Sequence, residues 1–344
     1  MAFIPRAAFP ALDSLPRSYY LGHHAAALSK IRSMVSQIDL IIECRDYRIP
    51  LTSRNPLFEE TLKERERLVV YTKRDLGSDG TNGADRKRHT LLRHFHHPSP
   101  VLFCDHQSSH DIRQVLTYIK TIVKSRGSLT GSHLMVAGMP NVGKSSLLNA
   151  LRSVSLHKGK AARTGAQPGI TRKIGTSVKI IEPEDGGGGV YLLDTPGVFI
   201  PYVPDAEAML KLALCGSVKD NIIPPFTLAD YLLYHVNLKS PELYSQYHTP
   251  TNDVMELLDA VARKTGRLQK GGESDTEGAA LWMVQRWRSG HLGRFLLDEV
   301  SEEALQRYNA EAAVQAPSSL SQMRKAGKEV IRNRARASRA ASLD

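Results

Sequence analysis

The sequence predicts an α/β domain, built on a mixed but mostly parallel sheet flanked by helices and followed by a smaller helical domain. Three observations predict it. Short apolar runs recur between helix-length segments and end in polar turns, as strands of a covered sheet do. Gly138-Met139-Pro140-Asn141-Val142-Gly143-Lys144-Ser145 stands between one such run and a helical pattern, the context a phosphate-binding loop requires. From about residue 205 the apolar spacing is helical, with Pro224-Pro225 and Thr249-Pro250 breaking the segments.

In chain order, strands are expected near 38–44, 68–72, 101–104, 133–137, 173–182 and 189–193, with helices between most of them. Gly186 to Gly189 is the expected hairpin turn joining the last two. These elements make a first domain over residues 18–204. Residues 205–310 make the helical domain, 311–344 a basic, flexible tail, and 1–17 an N-terminal extension. Trp282 and Trp287 share one helical segment, where core packing is the default reading and base stacking the alternative.

Leu134-Met135-Val136-Ala137 reads as a buried strand, and Ser145 to Leu151 as the start of a helix. Gly138 and Gly143 allow consecutive N–H groups to turn toward one point, so the loop and the helix N-terminus together bind phosphates. The expected nucleotide contacts are Asn141, Val142, Gly143, Lys144, Ser145 and Ser146. Lys144 is the catalytic charge at the β- and γ-phosphates, and the Ser145 hydroxyl ligates Mg²⁺. Asp194 ends the run Val190-Tyr191-Leu192-Leu193, which puts its carboxylate at a strand's C-terminal end to hold the metal directly or through water. Gly197, three residues on, leaves its N–H free to approach the γ-phosphate. Thr171, in Pro168-Gly169-Ile170-Thr171, is the expected second hydroxyl on the metal, by analogy with switch segments that order around γ-phosphate and Mg²⁺.

A second site edge is written earlier in the chain. Leu68-Val69-Val70-Tyr71 delivers Thr72, Lys73 and Asp75 to a strand's C-terminal end. A carboxylate there accepts both N–H groups on guanine's Watson–Crick edge, a pairing adenine cannot offer, so Asp75 is expected to select GTP over ATP. Lys73 would lay its stem along the base, and Thr72 stands where most GTPases have Asn. The next run, Val101-Leu102-Phe103, ends in Cys104-Asp105-His106, and the guanine contacts of that region stay open.

Guanine motif before phosphate loop is the reverse of the usual order, and the pieces fit a circularly permuted P-loop GTPase. Further landmarks accompany it: Tyr20-Leu21-Gly22-His23-His24, Arg45-Asp46-Tyr47-Arg48-Ile49-Pro50, Ser53-Arg54-Asn55-Pro56, Lys270-Gly271-Gly272-Glu273 and Ser289-Gly290-His291-Leu292-Gly293. In these motifs the chain resembles the YlqF/RbgA family of circularly permuted GTPases, over about residues 18 to 300. The resemblance implies a GTP-hydrolysing assembly factor for the mitochondrial large ribosomal subunit, released after hydrolysis, with GTP/GDP, rRNA and ribosomal proteins as partners. It also implies a histidine of the Gly-His pair, His23 here with the adjacent His24 as the alternative, as the group that handles the attacking water, since Val198 stands where many GTPases place a water-orienting Gln. Asn141 by the same resemblance helps hold K⁺ beside the phosphates, with capping of its own loop as the alternative. The rival readings are a protein-binding signalling or trafficking switch, and an RNA-binding scaffold that turns GTP over little.

Composition bounds the rest. The 344 residues carry a net charge of +11, which favours acidic polymers as partners, and after Gln322 seven basic residues face only Glu329 and Asp344. Lys158, Lys160, Arg163, Arg172 and Lys173 flank the Thr171 segment as a second basic surface. Cys44, Cys104 and Cys215 show no CxxC spacing and read as reduced core residues. No apolar run approaches a bilayer span. The first ten residues carry one arginine and no acid, a weak transit-like signal that, with the resemblance, points to a monomer in the mitochondrial matrix or peripherally on the inner membrane.

Overall fold

The structure, a computed structural model, describes residues 3–10, 12, 15, 22–62, 65–78, 82–128, 131–162, 164–165, 175, 177–183, 188–200, 203 and 205–314. The side chains of 22, 23, 57, 82 and 311–314 are outside that set. Thr171 with the rest of its motif, Arg163, Arg172, Lys173, the His23 side chain and the basic tail therefore lie outside the described residues.

Six strands form one sheet: β1 Leu40–Asp46, β2 Arg67–Thr72, β3 Val101–Cys104, β4 Ser132–Gly138, β5 Val178–Ile181 and β6 Val190–Asp194, in the spatial order β3-β2-β1-β4-β6-β5. All neighbours are parallel except β5, which returns antiparallel to β6. Helices α1 Gly22–Met34, α2 Pro56–Leu62, α3 Arg74–Gly77, α4 Asn82–His96, α5 Ser109–Arg126 and α6 Lys144–Leu156 accompany the sheet. Helices α7 Ala206–Leu214, α8 Pro225–Lys239, α9 Val254–Thr265, α10 Thr276–Arg288 and α11 Glu302–Val314 follow it. The sheet is thus the mostly parallel, helix-flanked one expected.

Period-two alternation divides the two faces. Leu40, Ile42 and Cys44 of β1 and Leu134 and Val136 of β4 join one apolar cluster, while Ile41, Met135 and Ala137 join another with Leu28 and Ile31 of α1. The first cluster continues without a break into Leu210, Leu232, Leu258 and Met283 of the later helices. Strand β1 runs two residues beyond its expected end because the charges there are mutually satisfied inside the protein. Arg45, fully buried, lies 2.7 Å from Glu43 and 2.8 Å from Glu59, and Glu43 also takes Arg67 at 3.0 Å. Opposed buried charges of this kind hold only as a set, since removing one strands its partner.

Two anchors tie the later helices to the sheet region. Asp298 is buried and accepts from the Leu51 and Thr52 N–H groups at 2.9 and 2.8 Å and from the Thr52 hydroxyl at 2.7 Å. Each such bond to a carboxylate contributes about 1.5–3 kcal/mol. Leu297 N–H meanwhile donates to Arg48 O at 2.8 Å, and the Arg48 guanidinium lies 4.8 Å from the ring of buried Trp287. At the other end of the chain, Arg6 makes an ion pair of 2.6 Å with Asp230 on α8, and Phe9 packs edge-on against Tyr231 at 5.1 Å. Asn252 donates to the Ile4 carbonyl at 2.9 Å. The N-terminal extension is therefore docked on the helices in its described part.

Candidate nucleotide site

The spatial order of the strands jumps from β1 to β4, and the crevice outside the carboxyl ends at such a reversal is where open α/β sheets bind ligands. Gly138 ends β4 at φ +145°, and a Cβ there would come 2.4 Å from the Cys44 carbonyl, so β1 and the loop approach as closely as only glycine permits. Asn141 and Gly143 follow at φ +60° and +88°, and α6 begins at Lys144, its first N–H groups unpaired within the helix. The Lys144 ammonium lies inside the loop, donating to the Gly138 and Met139 carbonyls at 3.2 and 2.7 Å. Burial pushes its pKa down to about 8, against the pull of Asp194.

The two metal candidates within the described residues meet. Ser145 Oγ donates to Asp194 Oδ2 at 2.6 Å, while Asp194 Oδ1 is buried without a hydrogen-bond partner among the described residues. Burial raises the Asp194 pKa, with Ser145 and Lys144 opposing the rise. A buried, open carboxylate oxygen beside a hydroxyl fits a hard divalent cation that takes its remaining oxygens from phosphate and water.

After Asp194 the chain crosses the phosphate loop. A Cβ on Gly197 would fall 2.5 Å from Pro140 Cα, so no side chain fits at this crossing. The segment is held from three directions: Val198 N–H donates to Gly138 O at 3.3 Å, Asn55 Nδ2 donates to Val198 O at 2.8 Å, and His24 Nδ1 lies 3.0 Å from Gly197 O. His24 is itself buried, and the Val198 side chain packs into the α1 face of the sheet, away from any water it could orient. Sequence reasoning assigned no role to Asn55 and set His24 beside His23 as an alternative. Both lie more than a hundred residues from the segment they hold.

At the guanine edge, Thr72 Oγ1 reaches Arg45 O at 3.0 Å and Val142 O at 2.5 Å, fastening the end of β2 to the phosphate loop. Lys73, at φ +56°, donates to Asn141 O at 2.5 Å and to Asp46 Oδ2 at 2.9 Å. Asp46 also holds Arg48 at 2.8 Å, and these two cations keep its carboxyl well below the usual range despite burial. It is a second residue that sequence reasoning left without a role, although it stood in the quoted Arg45-to-Pro50 run. Asp75 is different. Its Oδ1 is buried without a hydrogen-bond partner among the described residues, and burial and the neighbouring Asp105 raise its pKa. A carboxylate held open in this way suits a ligand that brings two N–H groups. In the following loop Asp105 N–H donates to Asp111 Oδ2 at 2.8 Å, which Arg74 also grips at 2.9 Å. Asn141 turns its side chain toward the helices, donating to Gly216 O at 2.9 Å, and Ser217 Oγ donates to Pro140 O at 3.0 Å.

A family model described as 50S ribosome-binding GTPase matches residues 133–260, from the phosphate-loop strand onward. Mitochondrial GTPase 1 of Schizosaccharomyces pombe is 37% identical over 321 residues, covering 89% of this chain and 96% of that protein. Mitochondrial ribosome-associated GTPase 1 of Bos taurus is 37% identical over 315 residues, covering 85% and 92%. Among solved structures, GNP-bound YlqF from T. maritima superposes with a TM-score of 0.51 at 20% identity, over 80% of this chain and 99% of that one, a likeness of fold.

Proposed function

We propose that this chain, which belongs to the family of mitochondrial ribosome-associated GTPases, serves the mitochondrial large ribosomal subunit as an assembly factor and leaves it once GTP is cleaved. It is a circularly permuted GTPase. The reading rests above all on the placement of Asp75, Lys144, Ser145 and Asp194, drawn from segments far apart in the chain, beyond the carboxyl ends of β2, β4 and β6 of one sheet.

In this reading the loop N–H groups from Asn141 to Ser146 bind the phosphates, and Lys144 leaves its carbonyl cradle for the β- and γ-oxygens. Asp75 takes the guanine edge, with Thr72 and Lys73 keeping that edge in register with the phosphate loop. Ser145 and Asp194 would hold Mg²⁺, with Thr171 as the further hydroxyl. The metal, when bound, offsets charge on the phosphate oxygens. Gly197 turns its N–H to the γ-phosphate, and His23 orients or deprotonates the attacking water. K⁺ beside the phosphates is the remaining cofactor proposal, although Asn141 is committed to Gly216 in the structure described.

Mitochondrial residence is supported by the names of the relatives, and the matrix, or the periphery of the inner membrane, is the finer placement proposed. No helix among the described residues is long and apolar enough to cross a membrane. GTP turnover measured with and without mitochondrial large subunits, beside sedimentation with a non-hydrolysable analogue, tests the reading. Stimulated turnover and analogue-dependent cosedimentation are expected; neither effect across a range of salt would sink it.

A further inference from the structure

The two tryptophans have opposite situations. Trp287 is 1% exposed, in the core. Trp282, on the outer side of α10, is only partly buried, one side of it packed against the core cluster. Two guanidiniums lie over its ring, Arg267 with Cζ at 4.8 Å from the loop after α9, and Arg286 at 5.4 Å from the next turn of α10. Tyr247 stands edge-on to it at 5.7 Å, with the Lys264 ammonium 6.0 Å from the Tyr247 ring.

Neither Arg267 nor Arg286 pairs with a carboxylate among the described residues. Of the acids of α9, α10 and their caps, Asp253 and Asp275 cap the two helices, Asp259 pairs with Arg263 and Glu256 accepts from Thr251, while Glu277 in the first turn of α10 pairs with no cation among the described residues. Lys264 donates to the Gln246 carbonyl and likewise has no carboxylate partner, so three cations without counter-ions among the described residues converge on two surface rings. Leu281 beside them, 36% exposed, adds apolar surface.

We propose that this face, formed by Tyr247, Lys264, Arg267, Trp282 and Arg286, binds single-stranded RNA, with an unpaired base against the indole and guanidinium planes and the adjoining phosphates on the cations. Every base has a π-face, and planar guanidiniums both stack and grip phosphate oxygens. A duplex keeps its base faces hidden and would engage the cations alone. An acidic peptide would also use the cations but leave the indole idle. The proposal rests on the ribosomal reading above and locates its RNA contact.

The chain has two tryptophans, so intrinsic fluorescence reports on the site. A short oligouridylate is expected to quench emission in the wild type and not in Trp282→Leu, and to bind at least about tenfold more weakly to Trp282→Leu and to Arg267→Gln/Arg286→Gln. Guanine-nucleotide affinity in the same variants serves as the folding control. Equal affinity for a duplex of the same length, or equal displacement by polyglutamate and by RNA, would overturn the proposal in favour of a merely cationic or peptide-binding face. Cosedimentation with large subunits separates the two layers. Variants that still sediment like the wild type refute this face while the assembly-factor reading stands, and a wild type that does not sediment removes both.

Discussion

Replacing Asp75 with Asn tests both the selectivity of the site and what that selectivity costs. The carboxylate is expected to accept two N–H groups of guanine, each charged bond contributing about 1.5–3 kcal/mol. Asparagine keeps one acceptor and turns a donor toward the other N–H, so about 3–5 kcal/mol of binding should vanish, a rise of two to four orders of magnitude in the GTP Kd. Xanthine nucleotides, which present a carbonyl in place of the exocyclic amine, should gain over GTP. The empty protein should react in the opposite sense. Oδ1 is buried with no partner and Asp105 is close enough to raise the carboxyl pKa, so a neutral amide relieves a desolvated charge and leaves stability unchanged or slightly higher. Titrations with fluorescent GDP, competed by GTP, XTP and ATP, measure the first effect, and the urea midpoint of the nucleotide-free protein measures the second. Unchanged GTP affinity would reject Asp75 as the base reader. Clear destabilisation would show that its open oxygen supports the fold after all.

Further perturbations test the histidine pair, the buried ion pairs and the response to acid. His23→Ala should keep GTP affinity and subunit binding while losing most stimulated hydrolysis, whereas His24→Ala, by removing the bond to Gly197 O, should weaken a GTP analogue roughly two- to tenfold relative to GDP. His24→Asn, whose amide nitrogen can replace Nδ1, should restore that ratio; equal losses for both nucleotides would mean His24 only supports the fold. Asp46→Ala strands buried Arg48 and frees Lys73, so about 3–5 kcal/mol of stability should be lost, and an unaltered urea midpoint would contradict the pairing. Acid should also destabilise the protein through His96 and His235, whose pKa values burial pushes down to about 2 and about 4. Both stay neutral when folded and take a proton when unfolded below about pH 6.5, so stability is full above that pH and falls as pH drops toward 4, at about 1.4 kcal/mol per pH unit for each. A melting temperature flat between pH 7 and about 5 would contradict this.

What could be read from the sequence was chemistry that is local. The phosphate loop, the Asp194 turn and the Asp75 edge each sit within a few residues of the strand that carries them, and apolar period and turn residues were enough to place those strands. Contacts made at a distance left no such mark. Nothing in a single sequence indicates that His24 reaches Gly197, that Asn55 holds Val198, or that Asp298 caps the loop at Thr52, because each is a polar residue whose partner lies over a hundred positions away. Strand β1 was read two residues short for a related reason. A Glu-Cys-Arg-Asp sequence looks like the end of a buried strand unless the cations and anions that neutralise it from α2 and β2 are known. The tryptophans were ambiguous because helical spacing fixes which residues share a face and not which face meets the core.

The docking of residues 3–10 on α8 bears on what this segment does in the folded protein. Arg6 is their one charged residue, and in the folded protein it is gripped by Asp230, with its guanidinium 5.6 Å from the Phe9 ring. Half-buried and neutralised by Asp230, the segment's one cation serves an internal contact and leaves little charge to present to another surface. Truncation ahead of α1 would strip Phe9 from Tyr231 and Tyr234, so the segment behaves as one more layer of the helical packing.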